Sequence, residues 1–85
     1  MAITNKKSEE KNYSTYDLGV ASCLVSKGYI LVSLDKTDRK KVKFIFRSEL
    51  GIDELVESYW TDKLEIKART FFDNIRMLKN RLHSE

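Results

Sequence analysis

An α+β domain with a small antiparallel sheet is the fold class this sequence predicts, on three observations. Tyr29 to Leu34 and Val42 to Arg47 are β-rich runs without helical period, and the second alternates cleanly. Ala68, Phe71, Phe72, Ile75, Leu78 and Leu82 recur at helical spacing near the end of the chain. The length, 85 residues, suits one small domain with a thin core. Aromatic residues make up 11% of the chain, and their large buried areas offset that thinness.

The first stretch, Met1 to Asn12, is polar and charged and holds little that packs. Its composition predicts a disordered tail over residues 1–12, ahead of one globular domain over residues 13–83. No apolar segment follows its lysines, so it does not read as a secretory signal. Ser14 and Thr15 supply hydroxyls that cap a helix, and Asp17 suits the positive end of its dipole. That helix runs from Tyr16 to Lys27 with Leu18, Ala21, Leu24 and Val25 on one side. Gly28 stands where a left-handed C-terminal residue belongs.

In the first predicted strand Tyr29, Leu31 and Ser33 share one face, and Ile30, Val32 and Leu34 the other. In the second, Val42, Phe44 and Phe46 oppose Lys43, Ile45 and Arg47. The polar linker between them is short, which predicts an antiparallel hairpin. Ile52, Leu55, Val56 and Tyr59 then define a helix from Leu50 to Trp60, with Asp53, Glu54 and Glu57 opposite. Thr61-Asp62-Lys63 ends it, and Leu64-Glu65-Ile66 reads as a short third strand. The predicted order is α-β-β-α-(β)-α. Phe44 and Phe46 are expected to face one apolar layer with Leu24, Phe71 and Ile75.

Tyr16-Asp17-Leu18, Ala21, Leu24 and Lys27-Gly28-Tyr29 form a pattern, joined later by Phe44-Ile45-Phe46 and Tyr59-Trp60. With Phe71-Phe72, Arg76, Leu78 and Lys79, it resembles a family of short bacterial and phage proteins known as a domain of unknown function. The resemblance extends over Tyr13 to Leu82. It implies the same segmentation of the fold and a prokaryotic or mobile-element origin. It brings no catalytic residue.

Several chemistries lack their residues. A lone Cys23 excludes an intramolecular disulfide framework and a multi-cysteine zinc site. No apolar run reaches the roughly 18 residues of a membrane span. A nucleophile needs a base in reach, and the one histidine, His83, lies near the chain's end while Cys23 sits in the first helix. Asp53 and Glu57 share a helical face without a third ligand beside them. Lys27-Gly28 follows a helix, the wrong order for a phosphate-cradling loop. The chain therefore reads as non-enzymatic, with no cofactor and no metal, in a reducing cytoplasmic setting.

Charge is distributed in blocks. Lys36, Arg39, Lys40, Lys41, Lys43 and Arg47 outnumber Asp35 and Asp38 across the hairpin, and the formal net charge is +3. An acidic stretch follows, and Arg69, Arg76 and Lys79 then line the outer side of the last helix. Cations on a sheet, with Tyr29 on the neighbouring strand, suit phosphate contacts and base stacking. The first expectation is thus a small nucleic-acid-associated protein of regulatory character. It would bind phosphates through Arg39, Lys40, Lys41, Lys43, Arg47, Arg69, Arg76 and Lys79. The plainer reading of the same residues is a lysine-protected hairpin and a solvated helix face.

The alternative is a protein-interaction module or inhibitor with no nucleic-acid role, using Tyr29, Leu31, Ile45 and Trp60 as its interface. The first strand is apolar on both faces, and two or three short strands make a marginal sheet. That combination predicts a homodimer in which Tyr29, Leu31 and Ile45 find cover.

Overall fold

The computed structural model describes residues 12–84. Along the chain come β1 (Asn12–Thr15), α1 (Leu18–Ser26), β2 (Leu31–Asp35), β3 (Lys43–Arg47), α2 (Ile52–Trp60) and α3 (Ala68–Ser84). The α+β class holds, with three helices and an antiparallel sheet of order β1-β3-β2. The third strand, however, is N-terminal. Tyr13 pairs with Phe46 and Thr15 with Phe44. The expected tail lies outside the described residues except for Asn12, which opens β1 opposite Arg47. Leu64 to Ile66 form no strand. Leu64 and Ile66 instead line a hollow with Cys23, Tyr59 and Phe71, so their apolar side chains tie the α2–α3 connection to the body of the fold.

Asp17 starts α1, with an Oδ1 that accepts from the Val20 amide at 2.8 Å. Ser14 and Thr15 belong to β1, and the Thr15 hydroxyl accepts from the Asp17 amide at 3.1 Å, shaping the corner. At the other end, the Gly28 amide donates to the Val25 carbonyl and the Tyr29 amide to the Leu24 carbonyl, each at 3.0 Å. This is a Schellman closure, and φ +96° at Gly28 is the reason for glycine there. Helix α2 ends the same way, with Asp62 at φ 62° in the glycine's place.

Five consecutive residues of α1, Val20 to Leu24, are buried. Burial all round a helix means cover on every side, and α1 packs against α3, α2 and β1. Gly19 permits the α2 approach. A Cβ on it would overlap the Tyr59 hydroxyl. All three helices meet the inner face of the sheet, where Leu24, Ile52 and Leu78 join Phe44 and Phe46 in the core.

Two expectations about this core are corrected. A bulge between Leu31 and Ser33 shifts the register, so that Leu31 opposes Phe46 while Leu34 opposes Phe44. Leu31 and Leu34 both pack inward, and Ile30 and Val32 are exposed. In α3, Leu78 carries the main contact, flanked by Met77 and Leu82. Phe71 and Ile75 are half-buried outside that cluster, and Phe72 is exposed. The core contacts of α3 thus lie in its C-terminal half.

Candidate functional site

The β2–β3 connection is shaped by its acids. Asp35 Oδ1 accepts from the Thr37 amide at 2.9 Å and the Thr37 hydroxyl at 2.6 Å. Asp38 Oδ1 accepts from the Lys40 amide at 2.9 Å. The hydrogen bonds from the Thr37 hydroxyl and amide hold the Asp35 carboxyl below its ordinary range, helped by the charge of Lys43. Locked this way, the turn leaves Arg39, Lys40 and Lys41 exposed.

Lys36 fixes where the turn sits. Its Nζ donates to the carbonyls of Arg81 and Leu82 at 3.0 and 3.1 Å, meeting the negative end of α3. The turn cations and the last turn of α3 are therefore neighbours, and Arg39, Lys40, Lys41 and Leu82 line one hollow of about 290 Å³.

Tyr16 is the aromatic of this region, not Tyr29. With Asp17 as the helix cap, Tyr16 falls outside α1 and stays 51% exposed. Lys41 Nζ lies 4.6 Å from its ring centroid and Lys43 Nζ 5.7 Å, both over the ring. An N-cap reading of Asp17 is the sequence signal that would have found it. Lys36 carried no such signal, because its partners are backbone carbonyls 45 and 46 positions away.

The remaining basic residues divide. Lys43 lies opposite Asp35 and belongs with the turn. Arg47 is at the far end of β3, opposite Asn12. On α3, Arg69, Phe72, Arg76, Lys79 and His83 follow a 3-4-3-4 spacing that makes one exposed stripe, and Arg76 stands 5.7 Å from the Phe72 ring centroid. Lys79 lies one turn from the Lys36 contact, whereas Arg69 is roughly 20 Å along the helix from Leu82.

The interface candidates divide as well. Tyr29 and Leu31 pack against the core, and the Tyr29 hydroxyl donates to the Leu50 carbonyl at 3.2 Å. Both residues are half-buried in the single chain. Ile45 is half-buried opposite Ser33. Trp60 is 60% exposed, edge-on to Tyr59 with centroids 4.9 Å apart.

Cys23 is buried, and burial chiefly pushes its thiol up, with the Asp17 charge adding to this and Lys27 opposing it. It lies by the start of α3, through Phe71, while His83 is in the last turn, roughly 18 Å along the helix. Asp17 is engaged as a cap, and Asp53, Glu54 and Glu57 border a broad open hollow of about 490 Å³. Among the described residues no group of three or more His, Cys, Asp or Glu is placed to hold a metal ion. None of their helices is long and apolar enough to cross a membrane.

Fold and surface together define a small α+β domain whose basic β-turn is fastened to the end of its last helix. The chain belongs to the family described as a domain of unknown function (DUF5659), which matches residues 10–84. No curated protein and no solved structure matches the chain.

Proposed function

We propose that this protein is a small, non-enzymatic, nucleic-acid-associated protein that binds phosphates through its hairpin turn and the C-terminal half of α3. The observation that carries the reading is the pair of hydrogen bonds from Lys36 to Arg81 and Leu82. They hold three exposed cations, Arg39, Lys40 and Lys41, beside a helix end whose outer stripe adds Lys79 and Arg76. Such a surface suits a polyanion more than a protein partner of mixed charge. A buried, unpaired Cys23 accords with a reducing compartment, and cytoplasmic DNA in a bacterial or phage setting is the partner this reading favours.

The test is binding of a labelled DNA measured against salt. Affinity falls log-linearly, with a slope of about −0.9 per phosphate contact on a duplex. Replacing Arg39, Lys40 and Lys41 together by Ala flattens that slope. Binding indifferent to both salt and the triple substitution sinks the reading.

A protein-interaction role is favoured by one separate feature. Val32 is exposed on β2, an edge strand, and Ile30 is exposed just before it; Leu50, whose carbonyl accepts from the Tyr29 hydroxyl, is 99% exposed. Pairing of two β2 edges would make a homodimer. Light scattering over a concentration series checks this: a mass near 20 kDa that Val32→Lys reduces supports it, and a constant 10 kDa contradicts it.

A further inference from the structure

Tyr16 and Lys41 line two hollows, and the two differ in chemistry. On one side, a hollow of about 260 Å³ is lined by Asp35 and Asp38 together with Lys41 and Lys43, so carboxylates balance its cations. On the other, the hollow of about 290 Å³ has an apolar floor of Leu18, Val42 and Leu82. Arg39, Lys40 and Lys41 border that floor, and among the described residues no carboxylate lines it. An aromatic side chain, an apolar floor and a cationic border match a ligand with an aromatic ring bonded to phosphate.

From this juxtaposition we propose that the hollow beside Tyr16 takes an unpaired base of single-stranded nucleic acid, with the flanking phosphates on Arg39, Lys40 and Lys41. The proposal rests on the nucleic-acid reading above and narrows it to strands with exposed bases. A base inside a duplex is paired and stacked on both faces, so reaching this floor would require flipping it out of the helix. A base in a single strand has a free face, and stacking on an aromatic side chain tolerates any base identity. Lys41 and Lys43 over the Tyr16 ring hold it in place, so little order is lost when a base arrives. Phosphates are favoured at the hollow bordered by Arg39, Lys40 and Lys41, where no described carboxylate balances the cations as Asp35 and Asp38 do in the other.

Fluorescence anisotropy with a labelled 12-nucleotide oligothymidine and a duplex of equal length, at one salt concentration, tests this on the full chain. The single strand is expected to bind more tightly than the duplex. Tyr16→Ala and Tyr16→Leu weaken single-strand binding about tenfold, within the range for one lost stacked base, and weaken duplex binding less. Tyr16→Phe keeps the parent affinity. Tyr16→Leu retains apolar bulk, so its loss reports the aromatic face and not the fold. Unchanged single-strand affinity in both variants, or equal affinity for strand and duplex, overturns the proposal. Displacement by thymidine monophosphate as effective as by unlabelled strand overturns the assignment to a strand. If duplex binding still falls with salt in those cases, the broader phosphate reading stands; if neither nucleic acid binds, both fall.

Discussion

Lys36 Nζ lies 3.1 Å from the carbonyl oxygen of Leu82, a contact that joins residues 46 positions apart. It closes the chain's basic hairpin onto the end of its last helix. Carbonyls there have no partner within the helix, so a cation satisfies them and complements the dipole together.

Lys36→Met keeps the apolar stem and removes the donor. The expected loss is about 1–2 kcal/mol of stability, as for a charge-assisted, partly buried hydrogen bond. Chemical denaturation checks it. Amide exchange in residues 80–84 should quicken more than exchange in α2, and uniform change would show that the contact does not hold the helix end.

The Gly19–Tyr59 contact makes a second test. Gly19→Ala places a Cβ into the Tyr59 hydroxyl and within 3.1 Å of the ring carbon that bears it. Overpacking of this kind costs about 1–3 kcal/mol, more than the helix-propensity gain of about 1 kcal/mol. In a Tyr59→Phe background the hydroxyl is gone, and most of that penalty should disappear. A double-mutant cycle with no coupling would mean α1 and α2 do not meet there.

Much of this architecture could be read from the residues, and the failures have local causes. The hairpin, α2 and α3 were legible because Phe44 and Phe46 alternate and Leu78 and Leu82 recur at helical spacing. Strand β1 was not, because four residues carry no usable period and Thr15 serves both the strand and the corner before Asp17. Val32 misleads on faces because a bulge breaks the period of two, and no single side chain announces a bulge. In the candidate site, the turn cations were visible as a run. Tyr16 reads as helical in the sequence, since Ser14 and Thr15 compete with Asp17 as the cap.

Alkaline pH should destabilise the fold in two steps. Burial, chiefly, holds the Cys23 thiol above 9.0 and the Tyr13 and Tyr59 hydroxyls above 10.0. Neighbouring negative charge adds to this, from Asp17 at Cys23 and Tyr59 and from Asp53 at Tyr13. Unfolded, these groups lose protons near the ordinary values, so the unfolded state gains first as pH rises. Their contribution is complete below pH 9 and is lost as pH climbs from there through the raised folded values. Thermal midpoints should be flat from pH 7 to about 8.5 and fall above 9. Cys23→Ala should remove the early part of the fall and keep the part above 10.

Amide chemical-shift mapping during titration with a short single-stranded DNA reads the binding surface residue by residue. The expected result is a set of perturbed amides confined to Tyr16, the turn from Asp38 to Lys43 and the α3 stretch from Arg76 to His83. Perturbation centred instead on Trp60, Asp53 and Glu57, or no perturbation at millimolar strand, would contradict a phosphate-binding hairpin fastened to the last helix.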